Sequence, residues 1–498
     1  MAGDSSLDLL SVPADAGHRL SRTAIEDALA YFDPDAVCLP GEFDPELYGG
    51  VRTVATVPVI APRAGTDHVG HHGRAREGEV VDTAAVDPTT MTHELVSVRE
   101  SSILAETDTV LPNGEDAGED LPTVLVVPDL AVEHDPTTLT ARLPHLDALA
   151  EIQNALSGPL TVLAGSQPAN YHHPWDTGSG GPVTVHGMGG GADGSRLTLL
   201  SCTPSGAVAG ESVDADSFGL RAIHGVGAKT EASLHRQGIT TRSGLAETPV
   251  ATLADLPGVG RDSAERMHAH AEVIETGDPL RLTNESLPAL RNGRPPICLD
   301  IETDGLSPTV VWQFGVYDPE TDEYTAFIED ETPSDPGRNV RQFCDHLFAS
   351  HAERTILTWN GDGFDYPVIE RFVRQHAPKY VEAWQDLWKH DLYSWGVRDG
   401  NALLPGRTNK LDDVSRALGY GGGETGLTGA QTAAAYQRFM RAPDDPAAEP
   451  DWTRHERYCE DDCRALWHVW QAIEDAERRD PSDSATDSGG QQTGLTDF

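Results

Sequence analysis

The run Ile297-Cys298-Leu299-Asp300-Ile301-Glu302-Thr303 has the apolar character of a core strand, yet two carboxylates interrupt it two residues apart. Strand side chains alternate between faces, so Asp300 and Glu302 point the same way. Like charges that close are costly to bury unless a cation joins them. A divalent metal site is the simplest physical reason for the pattern. A lone Asp-x-Glu is usually two solvated charges on an edge strand, so the rest of the chain has to decide.

Two later segments supply further carboxylates. Residues 355–359 read as a short strand, followed by the turn Asn360-Gly361-Asp362-Gly363-Phe364-Asp365 and a helical pattern from Tyr366. The glycines make the turn, and Pro367 suits a first helical turn. Asp365 thus falls at a strand-to-helix junction. Near the end, residues 452–473 carry a helical pattern without Pro or Gly. There Tyr458 and Asp462 stand at i and i+4 on one face. Leu466 and Val469 continue roughly that stripe, which should meet the core.

These motifs, Asp300-x-Glu302, Asn360-x-x-x-Phe364-Asp365 and Tyr458-x-x-x-Asp462, resemble those of the DEDD exonucleases with a ribonuclease H-like fold, in the subclass with Tyr in the third motif. The resemblance spans residues 295–474, with the motifs in the family's order. It is nearest in pattern to YprB-like proteins and the proofreading domains of family B polymerases. Room remains for strands over 312–317 and 323–328 and a helix near 340–350. His390-Asp391-Leu392-Tyr393 and Leu411-Asp412-Asp413-Val414 are similar to the family's connecting region.

The resemblance implies an α/β core, a mixed sheet flanked by helices, that hydrolyses phosphodiesters with two Mg²⁺ or Mn²⁺ ions. Such ions suit hard oxygen ligands and clamp the attacking and leaving oxygens. By the family's pattern Asp300 would bridge both metals, and Glu302 and Asp462 would hold the one beside the nucleophile. Asp365 would support the second through water, and Tyr458 would orient the attacking water. Asn360 and Phe364 would help position substrate. The implied activity is 3′–5′ exonucleolysis of DNA. RNA trimming stays open, because the motifs do not distinguish sugars, and so does a nuclease-like fold that grips nucleic acid without cutting.

A second signal precedes the first. Ile223-His224-Gly225-Val226-Gly227 and Leu256-Pro257-Gly258-Val259-Gly260 are near-copies, each followed by a helix-like stretch, 228–237 and 261–275. They resemble a tandem helix-hairpin-helix over 216–278, an all-α domain. Without side chains, Gly225, Gly227, Gly258 and Gly260 let backbone N–H groups approach a phosphate at a helix N-terminus. Lys229 and Arg261 stand just beyond the turns as cationic partners. Such contacts fix position on nucleic acid without reading sequence. A hairpin module used only for protein contacts is the alternative. Together the two modules point to DNA, more than RNA, and to repair or replication proteins as companions.

Charge seems to argue otherwise, since 80 acidic residues face 36 basic ones for a formal net charge of −44. Yet Lys occurs only at 229, 379, 389 and 410, and Arg supplies the other 32 cations. This balance resembles haloarchaeal proteins, whose acidic surfaces maintain solubility in molar salt. There the Debye length falls to about 3 Å and distant repulsion of phosphates fades. Residues 218–275 stand apart, with six basic and seven acidic side chains, a net of −1.

At 498 residues the chain has room for about three domains. No apolar run is long enough for a membrane span, and the first 15 residues lack the features of a secretory signal. Six scattered cysteines form no disulfide-like framework, and Cys459 and Cys463 read as free thiols rather than zinc ligands. A reducing cytoplasm fits this.

Residues 1–205 read as an α/β region of unreadable chemistry. Strands over 123–127 and 159–164 around a helix at 139–156 make a βαβ unit. Strands 183–185 and 197–201 could form a hairpin around the glycine run 187–194. That run has no following Lys-Ser/Thr and reads as a mobile turn. His68, His71 and His72 read as a polar loop. A linker is expected over 279–294 and an acidic disordered tail over 475–498.

Overall fold

The computed structural model describes residues 6–62, 68–71, 93–111, 121–135, 140–177, 181–190, 195–287, 293–305, 307–330, 335, 337–422, 425–444, 446 and 448–478. The chain divides into two compact units, Met1–Ala222 and Ile223–Phe498.

The first unit holds two sheets. One orders its strands Val208–Asp214, Arg196–Cys202, Leu7–Ser11, Ala36–Cys38 and Val59–Ile60. The other runs His172–Trp175, Val183–Gly187, Leu160–Ala164, Thr123–Val127, Glu94–Val98 and Val69–His71. Leu9, Cys38 and Leu200 from the first share a buried cluster with Leu95, Val126 and Leu163 from the second. The helices Arg22–Phe32 and Pro45–Val54 cover the first sheet's other side, and Leu146–Ala155 covers the second's. The parallel pairing of the βαβ reading holds, since Thr123–Val127 and Leu160–Ala164 pair around that last helix. The helix begins at Leu146 rather than 139, because Thr140–Arg142 is a strand paired with Glu133–Asp135 and Pro144 follows it.

Three other local readings of this unit need correction. Val183–Gly187 and Arg196–Cys202 are not a hairpin, because they belong to different sheets. Both are apolar strands buried in packed sheets, so neither is obliged to pair with its neighbour in sequence. The described part of the glycine run is not a mobile turn either. A Cβ at Gly187 would lie 1.9 Å from the Pro168 carbonyl oxygen, and one at Gly190 1.8 Å from that of Gly165. Only bare backbone fits there. His71 ends a strand rather than lying in a loop, while His72 and residues 191–194 fall outside the described residues.

The second unit begins with four helices, Ala228–Arg236, Arg242–Ala246, Val250–Ala254 and Arg261–Thr276. The segment read as a linker then contributes a strand, Leu280–Arg281, between Ala402–Leu403 and Glu477–Arg478. The latter strand lies in the segment read as a disordered tail, of which residues 479–498 are outside the described residues.

The remainder is a five-stranded mixed sheet with helices on both faces. Its strands are β1 (Ile297–Thr303), β2 (Val311–Asp318), β3 (Glu323–Ile328), β4 (Ile356–Thr358) and β5 (Lys389–Asp391), in the order β3-β2-β1-β4-β5. β1 pairs antiparallel with β2 and parallel with β4. Helices α1 (Arg338–Ser350) and α2 (Asp365–His376) pack on one face. α3 (Leu411–Ala417), α4 (Gly429–Arg441) and α5 (Trp452–Asp475) complete the fold, with α5 against the opposite face.

Candidate active site

Alternation along β1 decides which face receives the carboxylates. Ile297, Leu299 and Ile301 join the core beneath α1 and α2, whereas Cys298 joins Cys463, Leu466 and Val469 of α5. Asp300 and Glu302 have the parity of Cys298 and therefore face α5. The ladder with β2 shifts register just after Glu302, an irregularity that re-aims side chains at a strand end. Opposite Asp300 stands Gly315. A Cβ there would meet Cys459 Sγ at 2.5 Å and the Tyr324 hydroxyl at 2.8 Å, so a bare backbone lets α5 lie close on the sheet.

α5 brings three groups to β1. The buried Cys459 donates its S–H to Asp300 Oδ2 at 3.3 Å. One ligand atom each from Asp300, Glu302 and Cys459 lie within 4.8 Å of one another. Tyr458 and Asp462 stand one turn apart on the same helix face, both half-buried.

The turn after β4 delivers Asp365 as the first residue of α2, with its side chain buried. Asp391, at the end of β5, holds that turn. Its carboxylate accepts the backbone N–H of Asn360 at 2.8 Å and of Asp362 at 3.1 Å. The Ser394 hydroxyl donates to it at 2.8 Å. Asn360 has φ +61° and is exposed, a conformation that Asn tolerates better than most residues. Phe364 is half-buried against the hydrophobic core.

The carboxylates oppose one another. Burial pushes Asp300 well above the usual carboxylate range, and the charges of Glu302 and Asp365 push it further. Burial and then Asp462 do the same to Glu302, and burial and then Asp300 to Asp462. Burial raises Asp365 to about 7. Burial also raises Tyr458, aided by Asp462 and Glu302, so its hydroxyl keeps its proton at neutral pH. All four carboxylates are raised by burial, and Asp300, Glu302 and Asp462 also by the charge of another of the four, which makes the site cation-seeking.

α4 adds a group that the motifs do not contain. Thr432, fully buried, sets its hydroxyl 3.0 Å from Glu302 Oε2 and 2.8 Å from the Gly429 carbonyl, so its one proton is shared between these two acceptors. The helix starts at a capping box of Thr428 and Gln431. Gln437 ties it to the Asp304 carbonyl beyond β1 at 2.6 Å. Thr428-x-x-Gln431 announces the helix in sequence, but nothing local says that it lies against Glu302.

The hairpin residues form a separate group. Gly225 and Gly258 share φ +83°, and Gly227 and Gly260 are the N-cap residues of the helices that follow. All four are exposed, as are Lys229 and Arg261. A Cβ at Gly227, Gly258 or Gly260 would meet nothing within 4 Å. The first turn is braced by His270, whose Nδ1 accepts the His224 N–H at 2.8 Å.

Residues 297–474 match the RNase_H superfamily, and residues 219–272 match the SAM-like helix-hairpin-helix tandem. The protein therefore combines a ribonuclease H-like nuclease-superfamily domain with a tandem helix-hairpin-helix domain that precedes it. No curated protein matches the chain. Among solved structures, it resembles a product-bound exonuclease I at 20% identity, covering 30% of this chain and 45% of that one, with a TM-score of 0.21. Escherichia coli exonuclease I with a dT13 oligonucleotide gives 18% identity, 30% and 41% coverage and a TM-score of 0.20. The chain spans less than half the length of these structures. Among the described residues, no helix is long and apolar enough to cross a membrane.

Proposed function

We propose that this protein is a metal-dependent 3′–5′ exonuclease that hydrolyses DNA. One observation supports the reading: Asp300 and Glu302 on β1, Asp365 on α2 and Asp462 on α5 are each pushed upward by burial, and three of them by the charge of another of the four as well. A structural role needs no such convergence, and the cost of holding these groups together falls once cations share them. Their hard oxygen donors fit Mg²⁺ or Mn²⁺. In our reading Asp300 and Asp365 would hold one ion, and Asp300, Glu302 and Asp462 the other. Bound there, the pair would supply charge for the phosphoryl oxygens and a more acidic water.

The chain's own groups do the positioning. Thr432 fixes the Glu302 carboxylate through its hydroxyl. Tyr458, protonated and one helical turn from Asp462, is a neutral donor suited to orienting the attacking water. Asn360 and Phe364 flank the turn of Asp365 and would meet the terminal nucleotide. The two glycine hairpins, with Lys229 and Arg261, would hold the phosphate backbone without reading sequence. The 3′ polarity, the preference for DNA and a role beside repair or replication proteins rest on the resemblance of the three motifs. The acidic composition supports work in high salt.

The test is direct. The purified chain, in high salt with Mn²⁺ or Mg²⁺, should shorten end-labelled single-stranded DNA stepwise from the 3′ end, and matched RNA more slowly. Asp300→Ala and Asp462→Ala should abolish this. Persistent cleavage in both variants contradicts the assignment.

A further inference from the structure

Cys459 is a thiol in a pocket whose other ligands are all oxygen. Asp300, Glu302 and Cys459 can each offer one ligand atom within 4.8 Å of the others. Zn²⁺ bonds sulfur at about 2.3 Å and carboxylate oxygen at about 2.0–2.2 Å, so a tetrahedral site has an S···O edge of about 3.5 Å. Cys459 Sγ already lies 3.3 Å from Asp300 Oδ2. The sulfur owes its position to Gly315, since any larger residue would displace it. Cys463, one turn on, is turned to the Gly315 carbonyl at 3.6 Å. The other cysteines are buried, and among the described residues none shares a metal-ligating cluster with carboxylates.

We propose that Asp300, Glu302 and Cys459 form a site for soft divalent cations, Zn²⁺ or Cd²⁺, that competes with the hard ions of the nuclease pocket. A neutral thiol is a poor ligand for Mg²⁺ or Mn²⁺, so with those ions Cys459 keeps its proton and donates to Asp300. Thiolate selects softer metals. On Zn²⁺ or Cd²⁺ binding the Cys459 S–H bond breaks, its proton passes to solvent and the sulfur electron pair forms the metal bond in place of a departing water. Asp300 is then committed to that ion and unavailable to bridge two hard ones. This deepens the nuclease reading and takes its pocket as given.

The experiment separates the two. The metal-stripped full chain is titrated with Cd²⁺, and the ultraviolet cadmium–thiolate charge-transfer band is followed. The band should saturate at one equivalent, vanish in Cys459→Ser and persist in Cys344→Ser, whose thiol lies on α1 away from the pocket. In the Mn²⁺ nuclease assay, with each variant referred to its own uninhibited rate, Cys459→Ser should raise the half-inhibiting Cd²⁺ and Zn²⁺ concentrations at least about tenfold. No band in the unaltered chain, or an undiminished band in Cys459→Ser, overturns the proposal. If Cys459→Ser melts early, Cys459→Ala replaces it and the unaltered chain remains decisive. A band that depends on Cys459 in a chain that cuts nothing with any hard metal would uphold the soft site and sink the nuclease reading.

Discussion

The carboxylate site and the glycine hairpins, which the proposed function assigns to the same ligand, are built on opposite physics. In the pocket, groups from β1, α2 and α5 are held against burial and mutual repulsion. The hairpins present bare, exposed backbone at helix N-termini, with open space where side chains would be. The first arrangement is strained until cations arrive and suits chemistry. The second is relaxed and suits grip. Changes in the pocket should therefore alter turnover and stability in opposite directions, whereas changes in the hairpins should alter binding alone.

The largest effect is expected for Asp300→Ala or Asp462→Ala, with kcat falling on the order of 10³-fold. Each should melt no lower than the unaltered chain in chelator, because removing one buried like charge relieves the rest. A loss of stability as large as the loss of rate would erase the contrast.

Next is the pH dependence of Asp365. Its folded value of about 7 lies above the ordinary 3.8, so the native state binds the extra proton in between. Its contribution is therefore fully present below about pH 4 and lost as pH rises through about 7. In chelator, Asp365→Asn should gain stability over the unaltered chain across that window, by up to on the order of 4 kcal/mol. Chemical denaturation at several pH values reads this, and Mn²⁺ should close the gap. A gap that does not change with pH would remove Asp365 from the charged set.

Thr432→Val should lower kcat about 10- to 100-fold with little change in KM, and Thr432→Ser should restore most of it. Equal loss in both would make Thr432 a packing residue rather than a holder of Glu302. The smallest effect belongs to the hairpins. Gly260→Glu sets a negative charge at an exposed N-cap without steric cost, and should raise KM for DNA about tenfold with kcat kept. A fall in kcat alone would tie the hairpin to chemistry.

What could be read in advance was local. Period two along β1 and the i, i+4 step in α5 each fix a face within a few residues, so the motif carboxylates were legible. The match of residues 297–474 to the ribonuclease H superfamily and of 219–272 to the hairpin tandem agrees with the architecture read from the motifs. Thr432 was not legible, because it meets Glu302 across 130 residues, and a buried threonine on an amphipathic helix carries no mark of its partner. Cys459 read as a bystander thiol, since its approach to Asp300 depends on Gly315 in a different strand. In the first unit, strands 183–187 and 196–202 each show alternation, but alternation marks a strand and not its partner, and adjacency in sequence suggested the wrong pairing.

The central claim is that these carboxylates converge to capture paired cations. Crystals soaked in Mn²⁺ and measured for anomalous scattering test it most directly. Two anomalous peaks are expected against Asp300, one also touching Glu302 and Asp462 and the other on the Asp365 side, both absent from Asp300→Ala. A well-ordered pocket with no peak at saturating Mn²⁺ would contradict it.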